Sequence, residues 1–184
     1  MKTRISNAFI EETRNNGIKF TMDDLAKRLG ISKRTLYEQF SSKVEILDSI
    51  IEITLAEFDE QTRRIIENPE LTLLEKIRKT IVVVPKYNDF YDVRILEQLK
   101  RSYPTQWEYV NQELNQWDDL KELLEEGMRT HVIKPMNIEV LLKLVTDAAN
   151  ATLDRQFFLQ NSISVTEALE SIVDVLLTGM VQEP

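Results

Sequence analysis

Leu36 and Phe40 stand four residues apart and so claim one face of a short helix for the interior; Arg34, Thr35, Tyr37 and Glu38 must then face away from it. A guanidinium, a hydroxyl, a phenol and a carboxylate on one outward surface suit hydrogen bonding to base edges and phosphates. They do not make a nucleophile, a base and an orienting group. The rest of the chain supplies little more for catalysis. It has no cysteine, which excludes disulfides, thiolate metal sites and a cysteine nucleophile and suits a reducing compartment. It has one histidine, His131, expected in a loop beside Lys134-Pro135. The pairs Asp118-Asp119 and Glu125-Glu126 are adjacent, so their members project about 100 degrees apart on a helix and make poor catalytic dyads. The expectation is a protein without catalytic residues, metal or cofactor, whose chemistry is recognition.

The elements that must hold the outward surface are legible as stripes. Ile5, Ala8 and Phe9 mark a first helix that Gly17 ends. Thr21, with Asp24 three residues on, opens a second helix with the stripe Leu25, Ala26 and Leu29. Gly30-Ile31 is a turn too short to do anything but fold one helix sharply onto the next, which Ser32 caps. Helix, tight glycine-containing turn and short helix is the helix-turn-helix arrangement, whose second helix enters the major groove. An ordinary three-helix bundle with a solvated basic surface fits the same spacing. Charge is uneven along the chain: residues 1–47 carry nine basic and six acidic side chains, a balance of plus 3, and the remainder carries minus 11. A basic head on an acidic body repels polyanions everywhere except at one end.

The run Thr21-Met22-Asp23-Asp24-Leu25-Ala26-Lys27-Arg28-Leu29-Gly30-Ile31-Ser32-Lys33-Arg34-Thr35-Leu36-Tyr37-Glu38-Gln39-Phe40, followed by Ser42-Lys43 and Leu47, resembles the DNA-binding head of the tetracycline-repressor (TetR) family of bacterial transcription regulators. The Leu-Ala, Leu-Gly-Ile-Ser, Thr-Leu-Tyr, Phe and Ser-Lys groups fall at the family's spacing without a gap. The resemblance implies that Lys33, Arg34 and Thr35, following Ser32 at the helix start, lie at base edges. It also implies that Tyr37 donates to a phosphate and that Lys43 clamps another, aided by the start of its helix. Thr21 is the matching contact on the other flank. Gln39 stands where many members have histidine, and Glu38 puts an acid on the reading face, where it accepts from a cytosine amino group or points to solvent.

Helical periodicity continues to the C-terminus, with no strand pattern that has a partner. The expected fold is all-α: a three-helix head at 1–47 and a ligand-binding and dimerisation domain at 48–184, joined by a long fourth helix. About nine helices are expected, at 3–16, 22–29, 33–40, 43–67, 72–84, 87–100, 105–127, 138–160 and 165–178. Gly17, Gly30, Gly127 and Gly179 are each expected to close a helix, and Pro85 to end or kink one. Seven of the fourteen aromatic residues fall between 87 and 117: Tyr87, Phe90, Tyr91, Tyr103, Trp107, Tyr109 and Trp117. Such clustering suits a pocket for a lipophilic molecule, and ordinary packing accounts for any single ring. Asp89, Asp92, Glu97 and Glu113 among them would favour a cation, or form a wet face. Leu141, Leu144, Val145, Ala148, Ala149 and Thr152 make one apolar stripe, and Ala168, Leu169, Ile172, Val173, Leu176 and Leu177 a second. Two such helices from each of two chains would form a four-helix dimer interface. No apolar run has the length of a membrane span, so a cytoplasmic bacterial protein is expected. Together these imply a homodimeric, ligand-responsive transcription regulator, a repressor by analogy. It would bind double-stranded DNA at a palindromic operator and be released by a small lipophilic effector acting through the fourth helix. The alternative is a helical small-molecule-binding or protein-interaction module that has lost DNA binding.

Overall fold

The computed structural model describes residues 1–181, with the side chain of Asp89 outside the description. Among the described residues there are eleven α-helices, two short 3-10 helices and no sheet; one isolated bridge joins Ile133 and Val181. None of these helices is long and apolar enough to cross a membrane. The order is α1 (Lys2–Asn16), α2 (Met22–Leu29), α3 (Lys33–Tyr37), α4 (Lys43–Ile66) and α5 (Leu73–Ile81), then a 3-10 turn (Asn88–Tyr91). There follow α6 (Val93–Ser102), α7 (Pro104–Asn115), α8 (Asp118–Arg129), α9 (Ile138–Asn150), a 3-10 turn (Ala151–Leu153), α10 (Arg155–Gln160) and α11 (Val165–Met180).

Three expected helices are interrupted, two of them at a polar side chain that competes for backbone N–H groups. Asp92 caps α6 by accepting from Arg94 N at 2.9 Å, which breaks the helix expected at 87–100. Asp154 accepts from Phe157 N at 3.3 Å and starts α10, breaking the one expected at 138–160. The helix expected at 105–127 breaks at Gln116-Trp117, where Trp117 leaves helical geometry and two acids open α8. The third helix stops at Tyr37 rather than residue 40, and α5 stops at Ile81, ahead of Pro85. Two glycine expectations fail: Gly127 and Gly179 lie inside α8 and α11. A Cβ on Gly127 would lie 2.7 Å from Ile133 Cδ1, so that glycine serves close packing.

The chain forms two compact units, Met1–Glu57 with Pro85–Asn111 and Phe58–Val84 with the segment from Gln112 onward. The first is built on Ile5, Phe9, Leu25, Leu36, Phe40, Leu47 and Ile50, with Phe90 and Leu99 from the later segment also fully buried. Gly17, with φ 76° and ψ 179°, makes the turn after α1, and Gln98 of α6 accepts from Ile18 N there at 2.8 Å. The second unit packs Ile77, Ile81, Leu120, Leu124, Ile133, Leu141, Val145, Val173 and Leu177 into one core. Arg78 on α5 pairs with Glu170 at 2.8 Å and with Asp174, both on α11.

Candidate functional site

The head is organised by its caps. Thr21 and Asp24 form a reciprocal capping box at the start of α2: Asp24 N donates to Thr21 Oγ1 at 3.2 Å, and Thr21 N to Asp24 Oδ2 at 2.9 Å. The Thr21 hydroxyl also donates to that carboxylate at 2.7 Å, which holds Asp24 below the usual carboxylate range. Gly30, at φ 64° and ψ 33°, supplies the left-handed residue that ends α2. Two residues later Ser32 caps α3, accepting from Thr35 N at 3.0 Å, with the two hydroxyls 2.8 Å apart. Leu36 and Phe40 are buried beneath. The outward face therefore presents Lys33, Arg34, Thr35, Tyr37 and Glu38, of which Thr35 is half-buried and the others exposed.

Each basic group on this surface already has a partner. Lys33 pairs with Asp23, which raises its pKa. Arg34 Nε donates to Glu38 Oε1 at 3.0 Å, so Glu38 occupies the guanidinium rather than pointing freely to solvent. Lys43, at the first turn of α4, donates to the carbonyl oxygens of Ile18 and Phe20, and its ammonium lies 3.9 Å from the centroid of the Phe20 ring. Burial pushes its pKa down to about 8.

The second unit contains a cavity of about 210 Å³ lined by Phe58, Asp59 and Thr62 of α4, Thr80 of α5, Glu113 of α7, and Gln116 to Leu120. The Phe58 and Trp117 rings meet edge to face with centroids 6.3 Å apart, and the indole N–H donates to Leu114 O at 3.1 Å. The hydroxyls of Thr62 and Thr80 are buried without a hydrogen-bond partner. An unmade hydrogen bond on a buried hydroxyl costs about 1–3 kcal/mol.

The family model described as bacterial regulatory proteins, tetR family, matches residues 13–50, which run from the end of α1 through α2 and α3 into α4. YvaF, an uncharacterized HTH-type transcriptional regulator of Bacillus subtilis strain 168, is 31% identical over 181 residues, covering 98% of this chain and 95% of that protein. The chain belongs to the TetR family. Its fold is shared by the ketosteroid transcriptional regulator KstR2 of Mycobacterium tuberculosis, at TM-score 0.75 and 15% identity over 99% of this chain and 95% of that one. It is shared also by the TetR-family regulator PfmR of Thermus thermophilus, at TM-score 0.76 and 21% identity over 95% and 97%. This TetR-family chain is a DNA-binding transcriptional regulator, not an enzyme.

In the TetR-family chain the seven aromatic residues do not share one unit. Tyr87, Phe90 and Tyr91 are buried in the first unit, the latter two on the 3-10 turn that packs against α1, their rings edge to face at 5.9 Å. Tyr103 and Trp107 are half-buried, with the Lys100 ammonium 5.6 Å from the Trp107 centroid; Tyr109 is exposed. Burial raises the pKa of Tyr103. Of the seven, Trp117 alone lines the 210 Å³ cavity. Of the acids noted among them, Asp92 caps α6, Glu97 is exposed and Glu113 lines the cavity. Along α9 and α11, Leu141, Val145, Ala149, Leu169 and Val173 are buried within the single chain, as is Thr152 just beyond α9. Leu144 is exposed, and Ala148, Ile172 and Leu176 are half-buried. Asp59, Thr62 and Thr80 were not legible as functional from residue type alone. The signal was positional: Thr80 falls between Ile77 and Ile81 on a buried stripe, and Thr62 four residues after Phe58.

Proposed function

We propose that this TetR-family regulator acts as a homodimeric repressor whose two α3 helices read a palindromic operator and which a small molecule releases. The observation that carries the reading is the outward face of α3, where Lys33, Arg34 and Thr35 sit at the N-terminal end of a helix raised on a buried Leu36–Phe40 pair. In this reading those three residues face base edges, and Ser32 fixes where their helix begins. Tyr37 takes a phosphate, and Thr21 and Lys43 take phosphates on the two flanks. Dimerisation through α9 and α11 places two heads on one duplex, the arrangement that a two-fold symmetric site requires. The ligand sits in the domain beyond residue 47 and acts through α4, which bears Lys43 at one end and Phe58, Asp59 and Thr62 further along. Release needs only that the ligand prefer the arrangement unable to bind DNA. A difference of about 2–3 kcal/mol changes occupancy tens of fold.

Selection of bound duplexes from a random pool by the purified protein tests the reading. An enriched inverted repeat is expected. A single unrepeated site would remove the symmetric-operator claim, and no enrichment at all would remove sequence-specific recognition by α3.

A further inference from the structure

The hydroxyls of Thr62 and Thr80 are buried and partnerless. Five other hydroxyls on helices or at their ends return a hydrogen bond to the carbonyl four residues back: Thr13 to Phe9, Thr54 to Ile50, Thr130 to Glu126, Ser171 to Glu167 and Thr178 to Asp174. The corresponding acceptors for Thr62 and Thr80 are the carbonyls of Phe58 and Lys76, and neither hydroxyl makes that bond. Both residues are more than nine-tenths buried, at 3% and 2% exposure, and both line the same cavity. Neither oxygen is accessible from the cavity as the side chains stand, so a polar ligand atom would satisfy them by turning the threonines toward it.

The rest of the wall sets the charge of that ligand. Asp59, Glu113, Asp118 and Asp119 line the cavity, and no lysine or arginine does. Asp118 accepts from Gln116 Nε2 at 2.9 Å, whereas Asp59, Glu113 and Asp119 pair with no lysine or arginine among the described residues. An anion is repelled from such a mouth, and a cation is drawn in. Among the described residues no three acids converge as metal ligands, so the charge favours an organic cation over a metal ion. Phe58 and Trp117 supply ring surface, and the indole N–H is already committed to Leu114 O, leaving the indole to offer its π-face. Size sets a lower bound: an enclosed apolar cavity of about 150 Å³ takes up benzene, and this cleft, open to solvent on one side, measures about 210 Å³. One ring with a short tail fits.

We infer that the cavity bounded by Phe58, Thr62, Thr80, Glu113 and Trp117 is a site for a compact protonated arylalkylamine, with the ammonium held by the carboxylates and by the threonine hydroxyls once their side chains turn inward. The inference rests on the reading of this protein as a ligand-responsive regulator and names the ligand class. Calorimetric titration of the intact protein with phenethylammonium, its neutral isostere 2-phenylethanol and the anion 3-phenylpropionate tests it directly, without DNA. The amine should bind about tenfold or more tightly than the alcohol, and the propionate should give no saturable heat. Thr62→Val and Thr80→Val should each weaken the amine severalfold while raising the melting temperature, because each removes a hydroxyl left unsatisfied in the free protein. Asp59→Asn combined with Glu113→Gln, at positions outside the core, should weaken the amine about tenfold and leave the alcohol unchanged. Equal affinity for amine and alcohol, or no binding of any of the three probes, overturns the site. So do threonine variants that melt lower and bind the amine normally. Binding of the amine with no loss of operator affinity would leave the site standing and overturn only the ligand-responsive reading.

Discussion

Arg34 and Lys43 are both cations on the DNA-binding head, and the proposed function gives them different work. Arg34 is solvated apart from its exposed pair with Glu38. Such a pair is worth about 0–1 kcal/mol, so trading it for a guanine edge costs little. Arg34→Ala should relax base preference at one position of each half-site, at about 1–3 kcal/mol. Lys43→Met should instead weaken all sequences alike and flatten the salt dependence. Competition assays on cognate and scrambled duplexes separate the two; equal losses on both for Arg34→Ala would remove its base-reading role. Lys43 adds a signature in pH. With its pKa lowered to about 8 by burial, against an ordinary 10.5, the free folded protein sheds this proton as pH rises through 8 while the unfolded chain keeps it. The unfolded state then binds more protons, so this residue's contribution to stability grows between pH 8 and 10.5. On the proposed role a phosphate beside the ammonium requires the charged form, so DNA binding above pH 8 would take up a proton and affinity should fall. Between about pH 7.5 and 9.5 wild type should therefore gain stability relative to Lys43→Met while losing affinity relative to it. Parallel profiles for the two proteins would show that Lys43 does not titrate at the interface.

At the scale of elements, residue periodicity located what it physically controls and missed what it does not. The α2 boundaries and the capped starts of α2 and α3 were legible, because a capping threonine or serine and a left-handed glycine are local requirements. The breaks at Asp92 and Asp154 were not. An aspartate in a helical run is either a solvated side chain or a cap, and which one it becomes depends on whether the next segment must turn to reach the core. Glycine carried the same ambiguity. Gly127 and Gly179 look like stops, yet the first is an approach point for Ile133, and nothing lies within 4 Å of where a methyl would project from the second. The two should respond oppositely to alanine. Gly127→Ala pushes a methyl against the buried Ile133 side chain and should destabilise by about 1–3 kcal/mol, whereas Gly179→Ala gains helix propensity without a clash and should stabilise by about 0.5 kcal/mol. Chemical denaturation measures both. Equal effects would mean that the Ile133 contact yields freely. The outward position of Arg34, Thr35, Tyr37 and Glu38 was legible because they must face away from Leu36 and Phe40. The cavity was not, because its walls come from separate stretches of chain, its acids read as a solvated face and its two threonines lie on stripes that read as core.

For the whole molecule the proposed function turns on whether two copies of the chain pair. Charge is uneven, plus 3 over residues 1–47 against minus 11 over the rest, so DNA is attracted to the first 47 residues alone, and on the proposed reading one chain would engage a single half-site. The stripes on α9 and α11 contain two populations. Leu141, Val145, Ala149, Leu169 and Val173 are consumed by the protomer's own core, and a charge placed there would unfold the domain rather than report on association. Val140 and Leu144 on α9 and Val175 on α11 are different: 60%, 54% and 75% exposed, they are large apolar side chains left in water on two helices that pack against each other. Half-buried Ala148, Ile172 and Leu176 lie on the same helices. Covering that surface with its own two-fold copy would make a four-helix interface with apolar residues at its centre. Leu144→Glu with Val175→Glu should therefore leave helicity and melting of the protomer nearly intact, since both positions are solvated, and place unpaired carboxylates in the interface. The double variant should sediment as a monomer and lose most of its operator affinity, while retaining the weak, salt-sensitive binding of a single head. A variant that still sediments as a dimer would place the interface away from α9 and α11. A monomer that binds the full operator as tightly as wild type would separate dimerisation from DNA recognition altogether.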